Sequence, residues 1–432
     1  MTAAHQPEGQ VSEKQARSRK SGLKKTAFPP FFVTLFLIGL IFPPDTSFHL
    51  GTIRLSPYRV VLILALVPAL ARLLSGKVGR FNAIDGLIGA HAAWAALALF
   101  VNHGLAAGVE PAGIYIIEAF GAYLIGRVYI RSAEDARALI RAMFMIVLFI
   151  APLALYESLT EQNLFRDPVR AVMGMGPIRH IGPRMGLERA FGPFEHPILY
   201  GVFCASIMGA VYYVMGLGRL SLKAWAMAGV VAAATFFSMS TGPLVALLGQ
   251  VGLIGWDRLT SRIRNRWKLL TGLIVAAWIF VSIVSTRDPV RVFIWYFAFS
   301  RESSYNRILI WEYGTAEVAR HPIFGIGLGD WIRAPWMSSS MDNFWLVEAV
   351  RYGLPSLIFL VSAILLLTVR ITRGQRIDQE FGRFRSAWLV SLAGIALAGA
   401  TVHFWNALFV LFFFFVGSGA WLLEQVRRRE RG

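Results

Sequence analysis

The sequence predicts an all-α integral membrane protein with about twelve transmembrane helices, and three observations carry that prediction. Hydrophobic residues make up 56% of the 432 and stand in long blocks, not at amphipathic spacing. Basic residues gather between the blocks, at the ends of the would-be spans. The single cysteine, Cys204, lies inside a block, so no disulfide framework is possible.

A spanning helix needs about 20 mostly apolar residues. Blocks near that length run over residues 27–42, 57–74, 83–101, 112–129, 138–159, 197–215, 222–237, 243–256, 269–285, 344–369, 387–402 and 404–423. Several are short or Gly-rich, which suits close helix packing. Residues 1–26 read as a basic cytoplasmic tail, and the first block runs on without a small-residue cleavage site, as an anchor does. Residues 27–423 form the polytopic domain, and 424–432 form a second basic tail. No internal repeat is visible.

A net charge of +18 raises the question of nucleic acid. The charges sit at span ends, however, and the basic loops lack the interleaved aromatics of a single-strand groove. The partner implied is the lipid bilayer. With the N-terminus inside, cytoplasmic segments hold 29 of the 43 Lys and Arg, including all seven lysines. Both termini are then cytoplasmic, and the 14 outer basic residues are all arginine.

Two outer connections are long, 160–196 and 286–343. The first carries Arg166, Arg170, Arg179, Arg184 and Arg189; the second carries Arg287, Arg291, Arg301, Arg307, Arg320 and Arg333. Basic residues are disfavoured there, so their presence implies a use. Arginine is always charged and grips phosphate through a planar fork. A diphosphate headgroup at the outer surface is a fitting ligand; pairing with loop carboxylates or lipid phosphates is the plainer alternative. The second connection also predicts a helix capped by Ser303 or Ser304 and running through 305–320, with Ile308, Trp311, Thr315 and Val318 on one face and Arg307, Glu317 and Arg320 on the polar side or its edges. His321-Pro322 ends it. Gly325, Gly327 and Gly329 permit close approach to a neighbour or ligand, without matching dinucleotide or P-loop spacing. The expectation is a partly helical cap over a cavity.

Four pieces then stand in order: Arg189-Ala-Phe-Gly-Pro-Phe-Glu-His196-Pro197; Ser238-Met-Ser-Thr241-Gly242; Asn306-Arg307-Ile-Leu-Ile-Trp311 with His321-Pro-Ile-Phe-Gly-Ile-Gly-Leu-Gly329; and Asp342-Asn343-Phe-Trp-Leu346 with Arg351-Tyr-Gly353-Leu. Over residues 189–360 this order resembles the O-antigen ligase and O-antigen polymerase superfamily, the Arg-x-x-x-Trp and His-Pro-x-x-Gly-x-Gly-x-Gly block being its most specific part. The resemblance implies a GT-C-like, inverting, metal-independent membrane glycosyltransferase at the periplasmic face of the bacterial inner membrane. Its donor is an undecaprenyl-diphosphate-linked oligosaccharide, and a sugar hydroxyl of a glycan acceptor attacks the anomeric carbon. In ligases the acceptor is lipid A core; in polymerases it is another lipid-linked repeat. Chain-length or export proteins are implied partners, and no cofactor is implied.

Carried over residue by residue, the resemblance gives Arg307 the task of holding the diphosphate and stabilising leaving-group charge, with Arg189 in a similar or a structural role. Two positions depart. Thr241 stands where the family often has arginine, which leaves Arg184 or Arg301 to supply the charge. Asp342 stands where ligases carry the histidine proposed as base. A carboxylate there can take the hydroxyl proton, or Asp342 can simply cap the tenth span. The substrate-binding set is completed by Arg320, Trp311, His321, Asn343 and Arg351. The second departure favours a polymerase of exopolysaccharide or O-antigen repeats over a ligase.

Other charged residues have structural readings. Glu348 and Arg351, at i and i+3, can pair, and Glu118 lies within the fourth span. Trp405 reads as an interfacial anchor beside His403. His180, His196 and His321 lack ligand spacing, so no metal is expected. Residues 412–415 form a lipid-facing or packing run. A transporter or flippase is the second functional class, and a non-catalytic scaffold the third; transporters usually show repeats and a midplane site.

Overall fold

The structure, a computed structural model, describes residues 28–219, 221–286, 288–296, 301–373 and 378–431, without the side chains of 302, 303 and 428–431. The whole of the basic tail 1–26, together with Arg287 and Arg376, therefore lies outside the described residues.

The chain is almost wholly helical, with α1 Phe31–Ile41, α2 Pro57–Leu74, α3 Ala83–Ile116, α4 Ala122–Tyr129, α5 Ala133–Thr160, α6 Asp167–Val172, α7 Pro197–Ala205, α8 Met208–Ala210, α9 Leu222–Phe237, α10 Thr241–Leu259, α11 Arg266–Val284, α12 Pro289–Tyr296, α13 Arg301–Arg320, α14 Phe344–Arg373, α15 Gln379–Gly399, α16 Asn406–Ser418 and α17 Ala420–Arg431. The exception is a two-stranded antiparallel hairpin, β1 Phe48–Leu50 and β2 Ile53–Leu55, with Leu50 opposite Ile53. It closes through Gly51 at φ 65°. Among the described residues, seven helical stretches are long and apolar enough to cross a membrane, so the chain is a multi-pass membrane protein by length and composition.

Every apolar block expected from the sequence is helical, but the boundaries differ instructively. Residues 83–129 form one helical run of 47 residues, continued from α3 to α4 by a π turn over Ile117–Gly121. At 1.5 Å per residue it would be about 70 Å long if straight, over twice a bilayer core. It breaks at Gly104, with φ 73° and ψ 171°, and doubles back so that Gly108 lies against Leu99 and Phe100. A positive φ is nearly free only for glycine. The third and fourth blocks are thus two arms of a helical hairpin. Asn82 with Asp85, and Ser132 with Asp135, form capping boxes that start α3 and α5.

The core is aromatic and continuous. Phe404 stacks on Phe344 at 4.7 Å, and Phe412 meets both rings. Residues 412–415 are at most 8% exposed, so that run packs inside and does not face lipid. Several buried charges in the bundle are paired. Arg59 meets Glu118 at 2.7 Å, and Tyr58 donates to the same carboxylate. Away from the long connections, Arg127 bridges Asp85 and Glu424, both at 3.0 Å. Residues 424–431, the described part of the expected basic tail, continue helix α17. Glu348 takes the Tyr115 hydroxyl at 2.7 Å, beside His91, in place of the expected pairing with Arg351. By contrast, α11 has no buried residue and stands at the periphery.

The glycine run serves the fold. Ile326 N and Gly327 N donate to Val350 O and Arg351 O, both at 2.9 Å, and Leu354 N donates to Pro322 O at 2.8 Å. A Cβ on Gly325 would strike Val350 O, and one on Gly353 would strike Ile323 O. Gly353 also kinks α14 at φ 81°. Gly325 thus permits the approach of helix α14, and Gly327, where a Cβ would strike His103, that of helix α3. Gly353→Ala should destabilise the protein by roughly 1–3 kcal/mol through strain and collision, lowering its melting temperature in detergent. Gly272→Ala, with nothing near its added methyl, should leave it unchanged.

Candidate functional site

Four stretches distant in sequence meet at the end of the bundle that carries the two long connections. The first is residues 188–192. Its backbone is held from both sides: Glu188 N donates to Ser158 O (3.0 Å) at the end of α5, and Ala190 N to Phe237 O (2.9 Å) at the end of α9. Glu157, only 1% exposed, accepts from Phe191 N (3.0 Å), Gly192 N (2.9 Å) and Asn163 Nδ2 (2.9 Å). Gly192 makes the bend at φ 54°.

This mounting directs Arg189 at the second stretch, Ser238–Thr241. Arg189 Nη2 donates to Ser240 Oγ at 2.7 Å, and that hydroxyl donates to Ser238 O at 2.8 Å. Met239 takes φ 44°, and its carbonyl accepts from Arg184 Nη1 at 2.9 Å. Two guanidinium groups from the first connection thus converge on the turn before α10.

The third stretch is α13, which carries Arg307. The helix begins at Arg301, not at a Ser303 or Ser304 cap; Ser304 Oγ instead reaches back to Trp295 O in α12 at 3.3 Å. Its inward face is offset by one residue from the expected stripe. Ile310, Gly314 and Glu317 are buried, and Arg307 lies on the same three- and four-residue repeat. The cause is α14: Gly314 leaves room for Leu346, whose methyl a Cβ would meet. Trp311 and Val318 flank this face and pack on the small core of Ile310, Trp331, Met341, Leu346, Val347 and Val350. Trp311 is accordingly a packing residue.

The fourth stretch leads into α14. Asn343 Oδ1 accepts from Leu346 N at 3.1 Å, so the helix cap belongs to Asn343, not to Asp342. Asn343 thereby spends its side-chain oxygen on structure. Asp342, half-buried, accepts from Ser340 Oγ at 3.0 Å. Its charge acts on both Arg189 and Arg307, as does that of Arg184. Burial and Arg184 push Arg189 down to about 10 against the pull of Asp342. Burial also lowers Arg307, again opposed by Asp342. Both remain cationic at neutral pH. The two arginines feel the same carboxylate and the same third arginine, so the four groups share one electrostatic neighbourhood. The Nε of Arg189 and of Arg307 is in each case shut from solvent and, among the described residues, without a partner. A buried donor without an acceptor is costly, and an anion would supply one.

His196 stands beside this group as the cap of α7, its Nδ1 accepting from Ile198 N at 3.1 Å. Burial, Arg189 and Arg184 push it down to about 4, so it is neutral at neutral pH. Trp405 stands against both His196 and His403, at 5.6 and 5.8 Å between ring centroids.

The remaining expected residues lie elsewhere. Arg320 and His321 flank the buried Glu317 carboxylate at 2.6 and 3.5 Å; Glu317 also accepts from Ile332 N. Those contacts fix the chain that follows α13. Arg301 is exposed at the start of that helix. The charge of Arg351 acts on His403 and not on the arginine group. Of the other loop arginines, Arg166 and Arg170 pair with Asp45, and Arg291 pairs with Asp288 and Glu312, the plainer reading of loop arginines. A largely apolar cleft of about 240 Å³ lies elsewhere, between α11 and α12, lined by residues such as Phe280, Val284 and Trp295, with no arginine among the described residues that line it. Among the described residues no three of His, Cys, Asp or Glu group as metal ligands.

Sequence reasoning missed Glu157 and Ser240. A carboxylate ending an apolar block and a serine before a Thr-Gly step were the available signals. No protein-family model matches the chain, and no curated protein matches it either.

Proposed function

We propose that this protein is a glycosyltransferase that takes glycans from a polyprenyl-diphosphate carrier, polymerising exopolysaccharide or O-antigen repeat units. The single observation that carries the reading is the convergence of Arg184, Arg189 and Arg307 around Asp342, with two buried guanidinium Nε groups lacking partners. Three cations held in place suit a diphosphate, whose charge grows as the glycosyl bond breaks. A carboxylate among them suits the proton of an attacking sugar hydroxyl. Arg184 takes the place of the charge missing at Thr241, because its side chain is fixed to the carbonyl of Met239, two residues before Thr241. In this reading twelve spans cross the bacterial inner membrane, both termini are cytoplasmic and the arginine group is periplasmic, as the lysine and arginine distribution favours. The fold is then GT-C-like, and chemistry needs no metal.

The purified full-length protein, given an undecaprenyl-diphosphate-linked repeat unit alone, is expected to yield a size ladder. Arg184→Ala is expected to lower the rate about tenfold or more. Transfer only after lipid A core is added would make the protein a ligase, and no transfer in either case would favour transport of the lipid-linked glycan.

A further inference from the structure

We infer that Glu157, at the end of α5, is the positioning residue that aims Arg189 into the anion site, an inference that rests on the diphosphate reading above. Glu157 touches no expected substrate atom. Its carboxylate is 1% exposed and both oxygens are occupied: Oε1 by Phe191 N and Asn163 Nδ2, Oε2 by Gly192 N. The two backbone donors are the second and third residues after Arg189. Asn163 closes the clasp by donating also to Gly192 O at 2.8 Å, while its own Oδ1 accepts from Phe165 N and Arg166 N. The arginine backbone is thus held downstream by a carboxylate and on either side by the carbonyls of Ser158 and Phe237.

Such a mounting has a reason. Arg189 is 6% exposed and has, among the described residues, a single side-chain hydrogen bond, to Ser240. One bond through Nη2 leaves the rest of the fork uncommitted, so its direction depends on the backbone beneath it. An acceptor-only carboxylate is suited to this place, because both of its oxygens face donors. An amide is not: one of its ends is a donor and would confront a backbone N–H. The clasp therefore converts the end of a membrane helix into a rigid base for a loop arginine, as pre-organised charge recognition requires.

The test is a double-mutant cycle on binding of undecaprenyl diphosphate, without glycan, by the full-length protein in nanodiscs. Glu157→Gln is expected to weaken binding about tenfold in the otherwise native protein and less than twofold when Arg189→Ala is already present. Glu157→Asp, which keeps two acceptor oxygens, is expected to recover part of the loss. Equal loss in both backgrounds would mean that Glu157 serves general stability, and no loss in the native background would also overturn the inference. If Arg189→Ala itself leaves binding intact, the diphosphate reading fails first, and that outcome is distinct from a failure confined to Glu157. Melting temperatures of each variant guard against misfolding, and Glu157→Asp keeps the test decisive if Glu157→Gln does not fold.

Discussion

Replacing Asp342 by asparagine is expected to cut glycan transfer by about 10²-fold or more while the protein still folds and still binds the lipid diphosphate. A positioned general base contributes about 10²–10⁴-fold. The substitution keeps the size and the acceptor for the Ser340 hydroxyl but removes the proton-accepting charge. Helix α14 should be unaffected, because its cap is Asn343. The measurement is single-turnover transfer beside a binding titration with undecaprenyl diphosphate. Diphosphate binding should hold or tighten, since the carboxylate charge that the substitution removes repels the anion. Near-normal transfer would remove Asp342 from the chemistry and leave it a balancing charge between Arg189 and Arg307.

Arg307→Lys is expected to lower transfer by about 10²–10³-fold, the range for loss of one donor aimed at developing charge. Lysine keeps the charge but loses the planar fork and is a compact point donor. Arg307 sits on the inward repeat of α13 with Ile310, Gly314 and Glu317, so the shorter fork-less head should fall short of the shared place near Asp342. Undecaprenyl diphosphate release and glycan transfer, measured together, check this. A fully active lysine variant would mean that charge alone suffices at this position. The loop arginines that are paired with carboxylates provide the contrast: Arg291→Lys, in a pair exposed on both sides, should change transfer little.

The arginine group is partly legible in the sequence. Arg189, Arg307, Arg184 and Asp342 all stand in the two long basic connections that the sequence singles out, and the charges of Arg184 and Asp342 act on both Arg189 and Arg307. Arg320, His321, Trp311 and Asn343 come from the same stretches and the same motifs but do different work: a carboxylate clasp, a small core and a helix cap. Residue type and spacing do not separate a guanidinium aimed at a ligand from one aimed at Glu317. That separation depends on which way a helix is rolled, and one residue of offset turns α13 by about 100°.

The helical, membrane-spanning nature of the chain follows from its sequence alone, because apolar block length and charge placement are local properties that the bilayer reads directly. The sequence also marks positions where the chain can bend, since a left-handed φ is open to Gly104 and Gly353 at little cost. The polar pairings came from packing. Glu348 found Tyr115 rather than its helix neighbour Arg351, Glu157 found the amides that follow Arg189, and the charge of Asp342 came to act on two arginines over a hundred residues apart in the chain. Buried polar groups must be satisfied wherever a partner is available, and in a folded helical bundle the available partner belongs to whichever helix packs alongside.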